Sequence, residues 1–554
     1  MATFRLTVLG TTDLHSHILD WDYFTDRPYS DSHGNHVGLA RLSTLINQVR
    51  ADRGPATTLT VDSGDTIEGT PLAYYFARIE PDAPHPMALA MNAIGYDAAA
   101  IGNHEFNYGL GALERFADQV RHPMLCANAT GFTPYLLKKL DTDGPPLTVG
   151  ILGLVTPGCA IWDKSHLDGK VSINGVVEQA AVSVPELRAA GADIVVVLCH
   201  SGADASSSYG DALPWPENAA GLLAEKVAGI DAILVGHAHV EISSRQVANE
   251  TTNQSVLLSE PLKWGMRLSV LTLDLVHDGT WRVASSNAEL LDARSADEDP
   301  AIRQLIGQQH ETVRAYVNGV IGSCARELSA ARARFEAGPV IDLINHVQAL
   351  AVQRALGDAT PVLGVAAAFN ASATIPAGPV TVRDIAALYN YDNTLVGIAI
   401  SGRQLRDYLE HAARYFKTVT GPGPYAAGQL TNAVTPQAPK GTPDYNYDMI
   451  SGLDAPLAYD VDLTRPVGSR IVRLEYDSKP VNDAQRFVLA MNNYRQAGGG
   501  DYPWVREAPV LYDELAETRQ LIIDWVREIG TIDPATFAHC AWRLVANGEP
   551  LLFA

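Results

Sequence analysis

Cysteine is scarce in this 554-residue chain. There are five, at 126, 159, 199, 324 and 540, an odd number with no Cys-x-x-Cys pair. That spacing excludes a disulfide scaffold and a thiolate zinc knot, and leaves buried or free thiols as the expectation. Positive charge is also in short supply: 41 Lys and Arg stand against 63 Asp and Glu, a formal charge of −22. Such a surface repels phosphate backbones, so neither polymeric nucleic acid nor an anionic membrane is an expected partner. An anionic small substrate then needs a local positive field, which metal ions can supply. No apolar run approaches the roughly 18 residues of a membrane span. No basic segment followed by an apolar stretch comes after Met1, so the chain as written reads as cytoplasmic. Short-period repeats and low-complexity tracts are missing too.

What is present is an ordinary globular composition, 47% hydrophobic and 19% charged, over a length too great for one core. The first half alternates short β-branched apolar runs with helical patterns. "TTLTVDSGD" (57–65), "LTVGILGLVT" (147–156), "ADIVVVLCHSG" (192–202) and "DAILVGHAHV" (231–240) read as buried strands of an α/β sheet with helices packed outside. From about residue 300 the texture becomes helical, beginning with "DPAIRQLIGQQHETVRAYVNGVIG", read as one long amphipathic helix. The expected organisation is a first domain over 1–290, a helical linker or hinge over 291–335, and a second domain over 336–554. Within the last, "TGPGPYAAGQLTNAVTPQAPKGTPDYNYD" (420–448) is rich in Gly, Pro and Thr and reads as a surface excursion.

Five strand exits carry ligand-type residues: Asp13 and His15, Asp65, Asn103 and His104, His200, and His237 with His239. Taken singly, each has an ordinary explanation as a cap, a turn residue or a hydrogen-bonded histidine. In an open α/β sheet, however, residues just past the strand ends converge on one crevice, so five such exits imply one polar site. Asp13 and His15, two apart, point to the same side of the chain. A mixed nitrogen and oxygen set suits Zn²⁺, Mn²⁺, Fe or Co²⁺. Without His104, seven such groups exceed what one tetrahedral ion needs, and two ions sharing a carboxylate would use them.

In order along the chain, "TDLHSH", "DSGD", "GNHEFNYG", "LCHSG" and "GHAH" resemble the calcineurin-like metallophosphoesterases, and more narrowly the 5′-nucleotidase and 2′,3′-cyclic-nucleotide phosphodiesterase family. The resemblance implies an N-terminal metallophosphoesterase β-sandwich flanked by helices, a four-layer αββα arrangement, followed by a second α/β domain, the nucleotidase C-terminal domain. It implies two divalent ions, one on Asp13, His15, Asp65 and His239, the other on Asp65, Asn103, His200 and His237, with Asp65 bridging. His17 is expected behind them, orienting a ligand. Two ions about 3.5–4 Å apart acidify a water for in-line attack on phosphorus. The resemblance puts His104 near the leaving group as general acid or charge stabiliser. Where many relatives have an Asp to orient that ring, this chain has Asn107, which can hold the ring but brings no carboxylate to an imidazolium.

The resemblance extends through "LYNYDNTLV" (388–396), "YNYDMISG" (445–452) and "NNYRQAGGGDYP" (492–503). It implies a small-molecule nucleotide as substrate, its base stacked between Tyr391 and Tyr494 with Asn393 and Asp501 nearby. Tyrosines at strand ends are more often packing than platform, so this role rests on the family pattern. The glycines 498–500 read as a flexible turn or a close approach to ligand. The segment "VAAAFNASATIPAGPVTVRD" (365–384) lacks the Gly-Gly-Arg grip of many 5′-nucleotidases. The motifs stand closer to 2′,3′-cyclic-nucleotide 2′-phosphodiesterase/3′-nucleotidases. A 5′-nucleotidase or nucleotide-sugar hydrolase is the alternative, followed by a non-catalytic nucleotide-binding protein and a thiosulfate-ester hydrolase. Since this family is often exported, a periplasmic or secreted location is the alternative to a cytoplasmic one.

Overall fold

The computed structural model describes residues 2–209, 212–391, 393–434 and 441–554. It divides into two compact units, one ending at Ala315 and one spanning Tyr316–Ala554.

Unit 1 is built on two six-stranded sheets. The first runs, in spatial order, Thr280–Asp292, Arg267–Asp278, Ala2–Thr11, Thr58–Asp62, Ala98–Ala100, Met124–Leu125; the second runs Glu241–Ala248, Ser255–Pro261, Ala232–Val235, Ile194–His200, Leu147–Val155, Tyr135–Leu140. The central strands of both are parallel. Their inward side chains, among them Leu6, Val8, Leu59, Val61, Val149, Ile151, Val196, Leu198 and Leu234, make one dry core between the sheets. The helices Val176–Ala189 and Ala220–Lys226 cover the outer face of the second sheet through Val184, Leu187, Leu223 and neighbours. The helix Leu39–Arg53 lies against the first, and Pro86–Ile94 packs beside it. The result is the expected four layers. Strands buried on both faces explain why the sequence shows unbroken apolar runs rather than alternation.

Register sets the functional edge. Thr11 pairs with Asp62, and Asp62 with Ala99, so three strands of the first sheet end side by side. Val155 pairs with His200, and Cys199 with Val235, so the second sheet does the same. The two edges are stitched together where the Ser63 hydroxyl donates to Leu234 O at 3.1 Å.

The periodicity from residue 300 belongs to two helices, Pro300–Leu305 and Gly307–Val317, rather than one. The chain breaks at Ile306, just before Gly307, a residue that loses most by entering a helix. The first of these is tied to unit 1: Asp299 caps its own helix at Ala301 N and accepts from the Ser43 hydroxyl at 2.7 Å.

Unit 2 centres on a mixed five-stranded sheet, ordered Asp448–Gly452, Val362–Ala367, Arg486–Asn492, Thr394–Ser401, Val510–Glu517. The helix Pro339–Leu356 packs on it through Ile341, Ile344 and Val347. The Gly- and Pro-rich excursion is pinned at its ends. Leu430 and Tyr447 are buried, and Tyr447 stacks on Tyr415 at 4.9 Å; residues 435–440 lie outside the described residues. All five cysteines are free, four of them buried, as their spacing leads one to expect.

Candidate metal centre

Asp13, His15, Asp65, Asn103, His104, His200, His237 and His239 come from five strand exits onto the shared edge. Three groups of side chains have ligand atoms within 4.8 Å of one another: Asp13, His15 and His239; His15, Asp65 and His104; Asp65, His200 and His237. Asp65 belongs to two groups. Asn103 joins the last through its Oδ1, 2.9 Å from His237 Nδ1.

The donor orientations suit cations. His200 donates Nδ1–H to Ser63 O at 2.8 Å, which turns Nε2 inward to lie 2.9 Å from Asp65 Oδ2, buried and with no hydrogen bond of acceptable angle. His15 and His239 face each other through Nε2 at 3.3 Å, and His239 Nε2 lies 3.2 Å from Asp13 Oδ1. A buried imidazole nitrogen aimed at a carboxylate, and two more aimed at each other, are arranged as donors around a cation are. The nitrogen and oxygen donors thus fit divalent ions.

Electrostatics points the same way. Burial alone would lower the His200 pKa, but Asp65 and Asp13 outweigh it and raise it to about 10. Burial would raise Asp13, yet His239 and His200 hold it at about 2. Asp65 is likewise held well below the ordinary carboxylate range, against its burial, by His200 and His104. Asp65 and Asp13 draw a proton onto His200, and a divalent cation would compete for the same lone pair.

The backbone is bent to deliver these groups. Asp13, His15, Ser16, Asp65, His237, His239, Leu262 and Trp264 all have φ between 46° and 79°. That region is uncommon for residues other than glycine. The turns are cross-tied: Asp13 N donates to Gly64 O, His15 N to Asp65 O and Trp264 N to Asp13 O, at 2.7–2.9 Å. Glu105, fully buried, receives N–H bonds from Asp65, Thr66 and Gly102 and so locks the Asp65 and Asn103 turns together. Gly102 is required there, because a Cβ would meet Asp65 Oδ1 and lie 2.5 Å from Asp65 N.

Sequence reasoning overlooked several residues behind the donors. Glu217 accepts from His237 Nε2 at 3.0 Å, leaving Nδ1 to face Asn103. Glu68, also buried, places Oε2 3.1 Å from His104 Nδ1 and 3.5 Å from His15 Nδ1. His104 Nδ1 lies 2.6 Å from Asn107 Oδ1, and Asn107 Nδ2 donates to Asp163 at 2.7 Å. The carboxylate that Asn107 cannot itself provide thus comes from Glu68 and, one step back, from Asp163. Burial would lower the His104 pKa, but Asp65 and then Glu68 raise it to about 9, while burial pushes Asp163 up to about 7. Glu68 lies three residues past Asp65, next to the motif. Asp163 and Glu217 lie in turns with no motif to mark them.

His17 does not sit where a ligand-orienting residue is expected. Its Nδ1 lies 3.2 Å from Leu14 O and its ring stacks on Trp264 at 4.8 Å. Burial and then the neighbouring His15 hold its pKa near 3.

In unit 2, Tyr391 is exposed and Tyr494 half-buried; Asn393 is half-buried and Asp501 exposed. Asn393 O accepts from Thr518 N at 3.0 Å, and Asp501, at φ 55°, closes the glycine turn by donating its N–H to Gly498 O at 3.1 Å. The glycines approach the chain's own side chains: a Cβ on Gly499 would collide with the Tyr494 ring, and one on Gly500 with Arg495.

Residues 6–241 match the calcineurin-like phosphoesterase family and residues 315–507 the 5′-nucleotidase C-terminal domain. A 2′,3′-cyclic-nucleotide 2′-phosphodiesterase/3′-nucleotidase of Salmonella typhimurium is 33% identical, covering 98% of this chain and 89% of its own. The trifunctional nucleotide phosphoesterase protein YfkN of Bacillus subtilis is 31% identical over 99% of this chain, which spans only 39% of that longer protein. The crystal structure of a 5′-nucleotidase precursor from Thermus thermophilus is 25% identical, with a TM-score of 0.62 over 99% of this chain and 100% of that one. The chain belongs to the 5′-nucleotidase and 2′,3′-cyclic-nucleotide phosphodiesterase family of calcineurin-like phosphoesterases. Phosphoesterases of the calcineurin-like fold depend on two metal ions, and this chain carries the clusters to hold them.

Proposed function

We propose that this chain opens 2′,3′-cyclic nucleotides to 3′-nucleotides and removes the phosphate from the latter. The observation that carries the reading is Asp65, a buried carboxylate belonging at once to two donor groups, on a chain whose relatives are cyclic phosphodiesterases and 3′-nucleotidases. Asp13, His15, Asp65 and His239 would hold one ion; Asp65, Asn103, His200 and His237 would hold the other. Bound there, two divalent ions neutralise phosphoryl oxygens and acidify water, which is the chemistry phosphoester hydrolysis needs.

The chain's own residues do the rest. Asn107 and Glu68 fix His104 through Nδ1, so that Nε2 faces the site, 3.9 Å from Asp65 Oδ2. From Nε2 the ring can pass a proton to the departing ribose oxygen. Glu217 and the Ser63 carbonyl hold His237 and His200 in the rotations that present their inner nitrogens. In unit 2, Tyr391 and Tyr494 would stack the base, with Asn393 and Asp501 making polar contacts at its edges, each aromatic contributing roughly 1–3 kcal/mol.

A panel of 2′,3′-cyclic, 3′- and 5′-nucleotides, assayed with Mn²⁺, Zn²⁺ and Co²⁺, tests this. Preferential turnover of the cyclic and 3′ compounds is expected. Preference for 5′-nucleotides would replace the reading with that of the 5′-nucleotidases that also resemble this chain.

A further inference from the structure

A third tyrosine stands with the two proposed to stack the base. The ring of Tyr445 lies 6.3 Å from that of Tyr391, at 66° between planes, and 6.4 Å from that of Tyr494, at 74°. It is thus close to perpendicular to both. Two rings that clasp a flat base at van der Waals distance on each face stand about 7 Å apart. A ring nearly equidistant from both, and turned across them, lies about 5 Å off the line joining their centres. With Tyr391 and Tyr494 so placed around a base, Tyr445 takes the position of an end wall rather than of a third stacking partner.

Edge-to-face tyrosines are common in cores. Tyr408, Tyr415, Tyr447, Tyr459 and Tyr502 of the same unit are core residues, none more than 5% exposed. Tyr391 and Tyr445 are 38% and 39% exposed. The backbone under Tyr445 is nonetheless held firmly. Asp444 is paired with Arg334 and accepts from the Tyr415 hydroxyl at 2.7 Å. Arg495, buried and bidentate on Asp448, donates to Tyr445 O at 3.1 Å and to Asn446 Oδ1 at 3.0 Å, while Tyr502 donates to Asn446 O at 2.9 Å. Arg495 also bonds Gly499 O, in the glycine turn that abuts Tyr494. One arginine therefore sets the loop of Tyr445 against the loop of Tyr494. An exposed aromatic ring on a clamped backbone, with its partner loop clamped by the same residue, is a prearranged contact surface.

We infer that Tyr445 is the third wall of the base slot, meeting the edge of a purine or pyrimidine whose faces Tyr391 and Tyr494 cover. This rests on the nucleotide reading above. The ring, not the hydroxyl, makes the contact, so Tyr445→Phe should behave as the parent chain.

The test uses the full chain loaded with Mn²⁺. Adenosine is titrated as a competitive inhibitor of bis(p-nitrophenyl) phosphate hydrolysis, and KM is measured for 3′-AMP. Tyr445→Ala is expected to raise the adenosine Ki and the 3′-AMP KM by about 3- to 10-fold, with Tyr445→Phe at parental values. Unchanged Ki in Tyr445→Ala, beside a raised Ki in Tyr391→Ala and Tyr494→Ala, overturns the third wall and leaves the stacking pair standing. Unchanged Ki in all three overturns the base slot as well. Thermal melting checks the fold; if Tyr445→Ala melts early, Tyr445→Leu, which keeps bulk without an aromatic edge, is judged by the same outcomes.

Discussion

The amide of Asn107 joins two groups with opposite needs: its oxygen lies 2.6 Å from His104 Nδ1 and its nitrogen donates to Asp163 at 2.7 Å. Asp163 thereby fixes which end of the amide faces the histidine. Without it the amide is free to turn, presenting N–H to N–H. Replacing Asp163 by Ala is expected to lower kcat on 3′-AMP by about 10- to 100-fold, with KM and metal content little changed. Steady-state kinetics beside metal analysis checks this; equal losses in kcat and in bound metal would assign Asp163 to the fold instead.

Glu217 acts on the opposite flank. Its carboxylate holds His237 Nε2 at 3.0 Å, and His237 in turn holds its pKa below the ordinary value although burial pushes the other way. Changing Glu217 to Ala frees the His237 ring to rotate. A loss of about 10- to 100-fold in affinity for one of two ions is expected, seen as biphasic reconstitution in a Mn²⁺ titration of the apoprotein.

Removing Asp65 takes a donor from two clusters at once. Asp65→Ala is expected to abolish hydrolysis and to leave less than one ion per chain. Retention of most of the rate would refute a shared carboxylate. Gly102→Ala reaches the same atom without touching a donor, since its Cβ would meet Asp65 Oδ1. It should reduce activity at least tenfold while Asp65 is still present.

Burial raises Asp62 to about 7, despite the hydroxyl of Thr11 and the N–H of Gly64 that favour its ionised form. In the unfolded chain an Asp titrates near 3.9. The folded state therefore binds the extra proton between those values. This group's contribution is complete below about pH 4 and is lost as pH rises through about 7. Melting temperatures of Asp62→Asn should fall less steeply than those of the parent over that window; parallel curves would show that Asp62 titrates normally.

The sequence disclosed what is local. Asp13, Asp65, Asn103, His200 and His237 lie at or just past the ends of buried strands, and the ends of neighbouring parallel strands come together at one edge of each sheet. What it hid depends on long-range placement. Glu217 reaches His237 from 20 residues away and Asp163 reaches Asn107 from 56, both out of turns that carry no periodicity. The same holds for Tyr445, whose ring lies 6.3 Å from that of Tyr391 and 6.4 Å from that of Tyr494. His17 shows the converse error. It sits inside the motif, yet its ring turns to Trp264, a residue 247 positions on that no pattern near His17 announces.

The left-handed turns at Asp13, His15, Asp65, His237 and His239 have a practical corollary. Glycine would occupy each of them with less strain, by roughly 1–2 kcal/mol per position. Selection for heat resistance alone would therefore drift toward glycine at the very places where the chain needs an imidazole or a carboxylate. A library of this protein screened only for survival at high temperature should return sturdy molecules that have lost their chemistry.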